Sequence, residues 1–184
     1  MIASQINIDE ALKLSGYMSP GELTWLASFA KSCEKIVEFG CFHGRSTRAL
    51  ADNIYPGGRI YAVDPWNGEY RTDGGQEVEI YTFAFPIFRN NLHDHIRAGT
   101  VIPSRAYSEN FRLPFQVDMI FIDGDHTLKN VRKDLERAEA LVKSGGIISG
   151  HDYGHAMWPG VKQAVDEKYS NINLVESIWW IQKS

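Results

Sequence analysis

Two short runs concentrate ionisable side chains in this sequence: Asp123-Gly124-Asp125-His126, and His151-Asp152-Tyr153 with His155 close behind. Each follows an apolar stretch, Val117-Asp118-Met119-Ile120-Phe121-Ile122 and Ile147-Ile148-Ser149 respectively. Carboxylates and imidazoles at the edge of a buried strand are costly unless they bind something or reach water. An imidazole beside carboxylates can serve as a general base. The oxygen donors suit Mg²⁺ or Ca²⁺, and added imidazole also admits Mn²⁺, Fe²⁺ or Zn²⁺. Any one of these histidines, taken alone, reads as a hydrogen-bonded structural residue; the cluster points to chemistry.

A second group of residues suits ligand binding. Glu38-Phe39-Gly40-Cys41-Phe42-His43-Gly44-Arg45-Ser46 places two glycines four apart after an apolar run. Gly40 permits a tight turn, and Gly44 lets a ligand approach a helix start whose free N–H groups favour an anionic group. Ser46 adds a hydroxyl donor. Alone, this is also how a plain strand-to-helix turn reads. Asp64, in Val63-Asp64-Pro65-Trp66, follows the next apolar run, a little over ~20 residues beyond the loop, where an acid suits a ribose diol. Trp66 is placed to stack on a purine or to join the core. Two competing functions stay open. One is an NAD-dependent dehydrogenase, against which the Gly-x-x-x-Gly spacing speaks, since such enzymes carry Gly-x-Gly-x-x-Gly. The other is a binding-only protein without catalysis.

The elements that must position these groups alternate along the chain. Strands are expected over 35–39, 59–63, 100–103, 117–122 and 147–149, with two short β-rich pieces within 173–181 forming a hairpin. Helices are expected over about 45–53 and over 128–142, where Leu128, Val131, Leu135, Ala138 and Val142 make one apolar stripe. Ser144-Gly145-Gly146 is read as the stop of the second. Ser19-Pro20-Gly21-Glu22 has the form of a capping box opening an earlier helix with Leu23, Leu26, Ala27 and Ala30 on one face. A further short helix is expected within 8–14. Alternating strands and helices mean a mostly parallel, doubly wound sheet covered on both faces, with ligands outside the carboxyl ends of its strands. Residues 1–32 form a helical cap. Residues 65–99 break the rhythm with Gly74-Gly75 and an aromatic stretch to Phe88, and read as a lid over an acceptor pocket.

With 184 residues, 43% of them hydrophobic and 23% charged, the chain has the size of one soluble domain. A net charge of −4 without a basic stripe speaks against nucleic acid. No apolar run approaches the ~20 residues of a membrane span. No secretory signal is visible, and two cysteines without metal or redox spacing fit a reducing compartment. The expected location is the cytoplasm, and the expected partner is a small molecule; a homodimer stays open.

From Lys35 to the tail, the sequence resembles the class I S-adenosylmethionine-dependent methyltransferases. Glu38 to Gly44 is similar to their first motif, and Val63-Asp64 to their ribose acid. More narrowly, Val63-Asp64-Pro65-Trp66, Phe121-Ile122-Asp123-Gly124-Asp125-His126, Gly150-His151-Asp152-Tyr153 and Pro159-Gly160-Val161-Lys162 resemble a bacterial small-molecule methyltransferase family. The resemblance implies a Rossmann-like sheet of seven strands with a C-terminal antiparallel hairpin, in one domain spanning 1–184. It implies Glu38, Gly40, Gly44 and Ser46 around the methionine part of the cofactor, Asp64 on the ribose, and Ser104 and Arg105 near the adenine. Cys41, Phe42, Trp66 and Asp123 complete that contact set. Asp123 is similar in position to the metal-binding aspartate of catechol-type and macrolide-sugar O-methyltransferases, whose basic residue three positions later falls here on His126. Their remaining metal ligands match His151 and Asp152, although an acid is usual where His151 stands. The implied activity is O-methylation of a small hydroxylated acceptor, a sugar or a catechol-like ring, assisted by Mg²⁺ or another divalent cation.

Overall fold

The computed structural model describes residues 5–67, 70, 71, 77, 78 and 84–184. A single helical turn α1 (Asp9–Leu12) and helix α2 (Pro20–Ala30) lead into β1 (Lys35–Phe39), α3 (Arg45–Ala51) and β2 (Arg59–Asp64). A small antiparallel ribbon, β3 (Tyr70–Arg71) with β4 (Glu77–Val78), precedes α4 (Ala84–Asn91) and α5 (His93–Arg97). The chain continues through β5 (Val101–Arg105), a 3₁₀ turn (Ser108–Asn110), β6 (Val117–Ile122) and α6 (Leu128–Leu141). It ends with β7 (Val142–Gly150), α7 (Pro159–Lys168), β8 (Asn173–Val175) and β9 (Ile178–Gln182). The main sheet has seven strands in the order β5-β2-β1-β6-β7-β9-β8. The first five in that order run parallel, and β9 is antiparallel to both β7 and β8. Strand order reverses between β1 and β6, so the crevice for a ligand opens above their carboxyl ends. The seven-stranded Rossmann-like sheet and its antiparallel hairpin are as the sequence predicts.

Alternation along each strand divides the core between the two faces. Ile36 in β1 and Met119 and Phe121 in β6 pack with Leu23 and Leu26 of α2, Leu50 of α3 and Phe88 of α4. Val37, Phe39, Ile120 and Ile122 face the other way, onto Val131 and Leu135 of α6 and Val161 and Val165 of α7. The same alternation turns Glu38 away from Val37 and Phe39, toward α3, where it has no exposed surface.

The capping box of α2 forms: Ser19 Oγ accepts from the Glu22 N–H at 3.1 Å, and Glu22 Oε2 accepts from the Ser19 N–H at 2.8 Å. Three local expectations are revised. Helix α3 ends at Ala51, two residues early, where Arg48 Nε bridges to the Asp52 carboxylate at 2.8 Å. Helix α6 passes into β7 with no loop, because Lys183 Nζ donates to the carbonyls of Glu139 and Val142 at 2.5 and 2.8 Å and satisfies the helix end. Gly145 and Gly146 then lie inside β7, in a stretch where its pairing with β6 shifts register.

The described part of the insertion 65–99 carries regular elements. Ala84, Phe88 and Leu92 recur at four-residue spacing and are buried, and this places α4 and α5 against the start of α3. Gly44, with φ +89°, faces this packing: a Cβ there would stand 2.3 Å from Leu92 Cδ2. Its open side is therefore filled by protein, whereas the sequence suggested an approaching ligand. Gly74-Gly75 and the part of the aromatic stretch from Ile80 to Phe83 lie outside the described residues. Among the described residues, no helix is long and apolar enough to cross a membrane.

Candidate active site

The glycine loop is built on two buried contacts. Gly40 has φ +84°, and a Cβ there would stand 2.1 Å from the Asp123 carbonyl oxygen. Only glycine lets the ends of β1 and β6 come this close. The Asp123 N–H donates to the Phe39 carbonyl at 2.7 Å, which extends the pairing of β1 with β6 to the first residue of the cluster. Below the loop, both oxygens of Glu38 are taken: Ser46 Oγ donates to Oε1 and Thr47 Oγ1 to Oε2, each at 2.5 Å. Burial pushes the Glu38 carboxyl up to about 7 against these two hydroxyls. Glu38 and Ser46 thus tie α3 to β1 beneath the site.

Asp64 has a similar double position. Its Oδ2 accepts from the N–H groups of Cys41 and Phe42 at 2.8 and 3.0 Å, and Oδ1 accepts from the Trp66 N–H at 2.6 Å. Burial raises its pKa, opposed by these three donors. A carboxylate has about four acceptor positions, so one stays open toward the cavity that Asp64 lines. The Trp66 indole packs on Phe85 and Phe88 and donates Nε1–H to the Phe42 carbonyl at 2.9 Å. Phe42, Trp66 and Asp152 all have positive φ, at 46°, 43° and 61°. Such backbone costs of order 1–3 kcal/mol per residue and clusters at functional sites.

The ionisable groups after β6 and β7 do converge. Ligand atoms of Asp123, His126 and Asp152 all lie within 4.8 Å of one another. His126 Nε2 stands 2.9 Å from Asp152 Oδ2 and 3.5 Å from Asp123 Oδ1. His151 Nδ1 stands 3.3 and 3.6 Å from the same two oxygens. The His126 contact is close but off the line of a hydrogen bond. Burial would lower the His126 pKa, but Asp123 and Asp152 reverse this and raise it to about 9. Burial likewise opposes the charge on His151, whose value the carboxylates of Asp123, Asp152 and Glu22 push up to about 12. Asp123 and Asp152 are correspondingly held below the ordinary range against their own burial. Trp158, just before α7, stacks on the His126 ring with centroids 4.6 Å apart.

Glu22 is the participant that sequence reasoning placed only in the helix cap. Its Oε1 lies 3.1 Å from His151 Nε2 and accepts from Ser177 Oγ at 2.5 Å. One carboxylate therefore caps α2, holds the β8–β9 turn and contacts the cluster. Asp125, by contrast, turns to its own loop, accepting from the Thr127 N–H at 2.8 Å and Asn130 Nδ2 at 2.6 Å.

A cavity of about 330 Å³ opens above β1, β2, β5 and β6. Gly40, Phe42, Asp64, Trp66 and His126 line it. Glu38, Cys41, Gly44, Ser46, Ser104, Arg105, Asp123, His151 and Asp152 do not. Arg105 instead lies over the Phe85 ring at 5.0 Å. The wall after β5 is made by Ala106, Tyr107, Ser108 and Glu109, and α6 contributes Asn130, Lys133 and Asp134. These residues carry no glycine or charge pattern that marks them in the sequence. The one available signal was Asp134, an acid one position before Leu135 of the apolar stripe on α6.

Known proteins share this architecture. The chain is similar to a solved O-methyltransferase from Bacillus cereus in complex with S-adenosylhomocysteine, at 19% identity and TM-score 0.68, covering 100% of this chain and 93% of that one. It is similar to the S-adenosylhomocysteine-bound methyltransferase PaMTH1 from Podospora anserina, at 16% identity and TM-score 0.67, covering 96% and 86%. A curated relative, uncharacterized protein R132 of Acanthamoeba polyphaga mimivirus, is 28% identical over 153 residues. That match covers 79% of this chain, which spans 63% of the relative's length. Residues 37–153 match the family model described as a methyltransferase domain, and with well over half of its length inside that match the chain belongs to this methyltransferase family.

Proposed function

We propose that the protein is an S-adenosylmethionine-dependent O-methyltransferase acting on a small hydroxylated acceptor, a sugar or a catechol-like ring, with a divalent cation at the Asp123 cluster. The observation that carries this reading is that His126, in contact with Asp123 and Asp152, lines the same cavity as Gly40 and Asp64. The cavity volume falls in the range of small-molecule sites. The open acceptor position on Asp64 suits a ribose hydroxyl.

The donor set also fits a cation. Atoms sharing one ion at about 2.1 Å stand roughly 3.0–3.4 Å apart, and His151 Nδ1 stands 3.3 and 3.6 Å from the Asp152 and Asp123 oxygens. Asp123, Asp152 and His151 Nδ1 are the ligands of choice, because His126 is the imidazole that faces the cavity. Two carboxylates with an imidazole admit Mn²⁺, Fe²⁺ or Zn²⁺ as well as Mg²⁺. When bound, the cofactor supplies a methyl activated by its sulfonium. When bound, the cation polarises an acceptor hydroxyl and opposes protonation of His126.

The chain itself holds the reactants in line and moves the proton. His126 takes the hydroxyl proton, with its ring stacked on Trp158 and its Nε2 against Asp152. With both carboxylates uncompensated, His126 stays an imidazolium up to about pH 9 and accepts a proton only above that. The test is transfer of a labelled methyl group from S-adenosylmethionine to catechol and to a free sugar, with Mg²⁺ or Mn²⁺ and after chelation. His126→Ala is expected to lower turnover by about 100-fold or more, with affinity for S-adenosylhomocysteine within a few-fold of wild type. Transfer that survives both chelation and His126→Ala overturns the mechanism, and absence of S-adenosylhomocysteine binding overturns the cofactor reading.

A further inference from the structure

Asp134 is a buried acid that none of this chemistry uses. It sits on α6, is 4% exposed, and lines the cavity. Ser108, from the 3₁₀ turn after β5, donates its hydroxyl proton to Asp134 Oδ1. The other oxygen, Oδ2, has no hydrogen-bond partner among the described residues, and it stands 3.9 Å from where a Cβ would be at Gly124, which also lines the cavity. A carboxylate oxygen that no protein group holds, on a side chain otherwise buried, is free to accept from a ligand. The fold keeps one here, facing a space that a ligand can fill.

Topology says which part of a nucleoside reaches it. Asp64 ends β2, whose two neighbours are β1 with the glycine loop and β5 with the Ala106–Glu109 wall. The Asp123 cluster lies beyond β1, at the end of β6. With the sugar at Asp64 and the reacting end toward His126, the base is left on the β5 side, against Ser108 and Asp134. At that end the cavity offers acceptors: Asp134 Oδ2, and a Ser108 oxygen whose proton is already committed. Its complement is an N–H donor on the base.

We propose that Asp134 selects the base of the cofactor: Oδ2 accepts a hydrogen bond from the exocyclic amine of a 6-aminopurine, while Ser108 holds the carboxylate in place. The assignment rests on the cofactor reading above and adds a specificity residue that lies outside the glycine loop and the metal cluster. Burial pushes the Asp134 carboxyl up to about 7, opposed by the Ser108 hydroxyl, so the group is tested in its ionised form at pH 8.

The experiment is calorimetric titration of the full chain at pH 8 with S-adenosylhomocysteine and with S-inosylhomocysteine, which carries a carbonyl oxygen in place of the amine. A site built to bond a donor rejects an analogue that lacks it. The wild type is expected to prefer the adenosyl ligand by about 100-fold or more. Asp134→Asn, whose amide can turn to offer either a donor or an acceptor, is expected to bring the two ligands within about tenfold. The wild-type comparison does not depend on any variant folding, and a thermal melt checks Asp134→Asn. Equal binding of both ligands by the wild type overturns the assignment while leaving the cofactor reading intact. So does an Asp134→Asn variant that keeps the full preference. A wild type that binds neither ligand overturns the cofactor reading and this assignment with it.

Discussion

Glu38 and Asp64 show how a residue in a binding motif can be committed first to holding the loop. Glu38 has no exposed surface and both of its oxygens bonded, so its ionisation reports on folding rather than on a ligand. Its pKa is raised from an ordinary 4.5 to about 7. Between those values the folded state binds more protons than the unfolded chain, so this group's contribution to stability falls as pH rises through the window. Glu38→Gln removes that slope. Urea unfolding at pH 5 and pH 8 is expected to show the variant gaining on wild type at the higher pH, by about 3 kcal/mol at most. A difference that does not change with pH would mean that Glu38 is ionised in the fold throughout. The residue types of the motifs were legible in the sequence, but the direction each side chain faces was not. Ser46 and Glu38 were assigned to the ligand and face each other.

At the scale of elements, the two glycines of the loop hold different pairs of structures together. Gly40 sets the distance between β1 and β6, and Gly44 sets that between α3 and the α4–α5 insertion. Gly40→Ala combines an unfavourable φ with a backbone collision, and is expected to cost upward of about 2 kcal/mol and to abolish S-adenosylhomocysteine binding. Gly44→Ala meets the Leu92 side chain, which can move. It is expected to speed hydrogen exchange across α4 and α5 while β1 and β6 keep their protection. Equal loss of protection in both regions would mean that the insertion is part of the central folding unit. The helices of the insertion were within reach of sequence reading, since Ala84, Phe88 and Leu92 keep a helical period. The aromatic stretch beside them drew the reading toward a loop.

Across the whole molecule, Glu22 couples segments far apart in the chain. Its carboxylate meets the N-terminal cap, the Ser177 turn of the C-terminal hairpin, and His151 of the Asp123 cluster. A group on such a network has effects that do not add. Glu22→Gln and Ser177→Ala are expected to show an interaction energy of about 0.5 kcal/mol or more in a double-mutant cycle of unfolding free energies, and additive effects would remove Glu22 from this role. If His151 is a metal ligand as proposed, Glu22→Gln is also expected to weaken Mn²⁺ binding by roughly 10–100-fold, as loss of a group that orients a ligating histidine does.

The sequence by itself determined the alternation of strands and helices, the parallel sheet, the loop and acid at adjacent strand ends, and the gathering of Asp123, His126, His151 and Asp152. All of these follow from local periodicity and from the rule that consecutive parallel strands end on one edge. Only the tertiary structure decided what those groups touch. It turned Glu38 and Ser46 inward, gave most of Asp64 to the loop, brought Glu22 to His151 and set Asp134 on the cavity wall. The contacts of Ser46 with Glu38, Cys41 with Asp64 and Glu22 with His151 join residues 8, 23 and 129 positions apart, and no local pattern carries their distance. It is the packing of whole elements that brings such residues within a few ångströms.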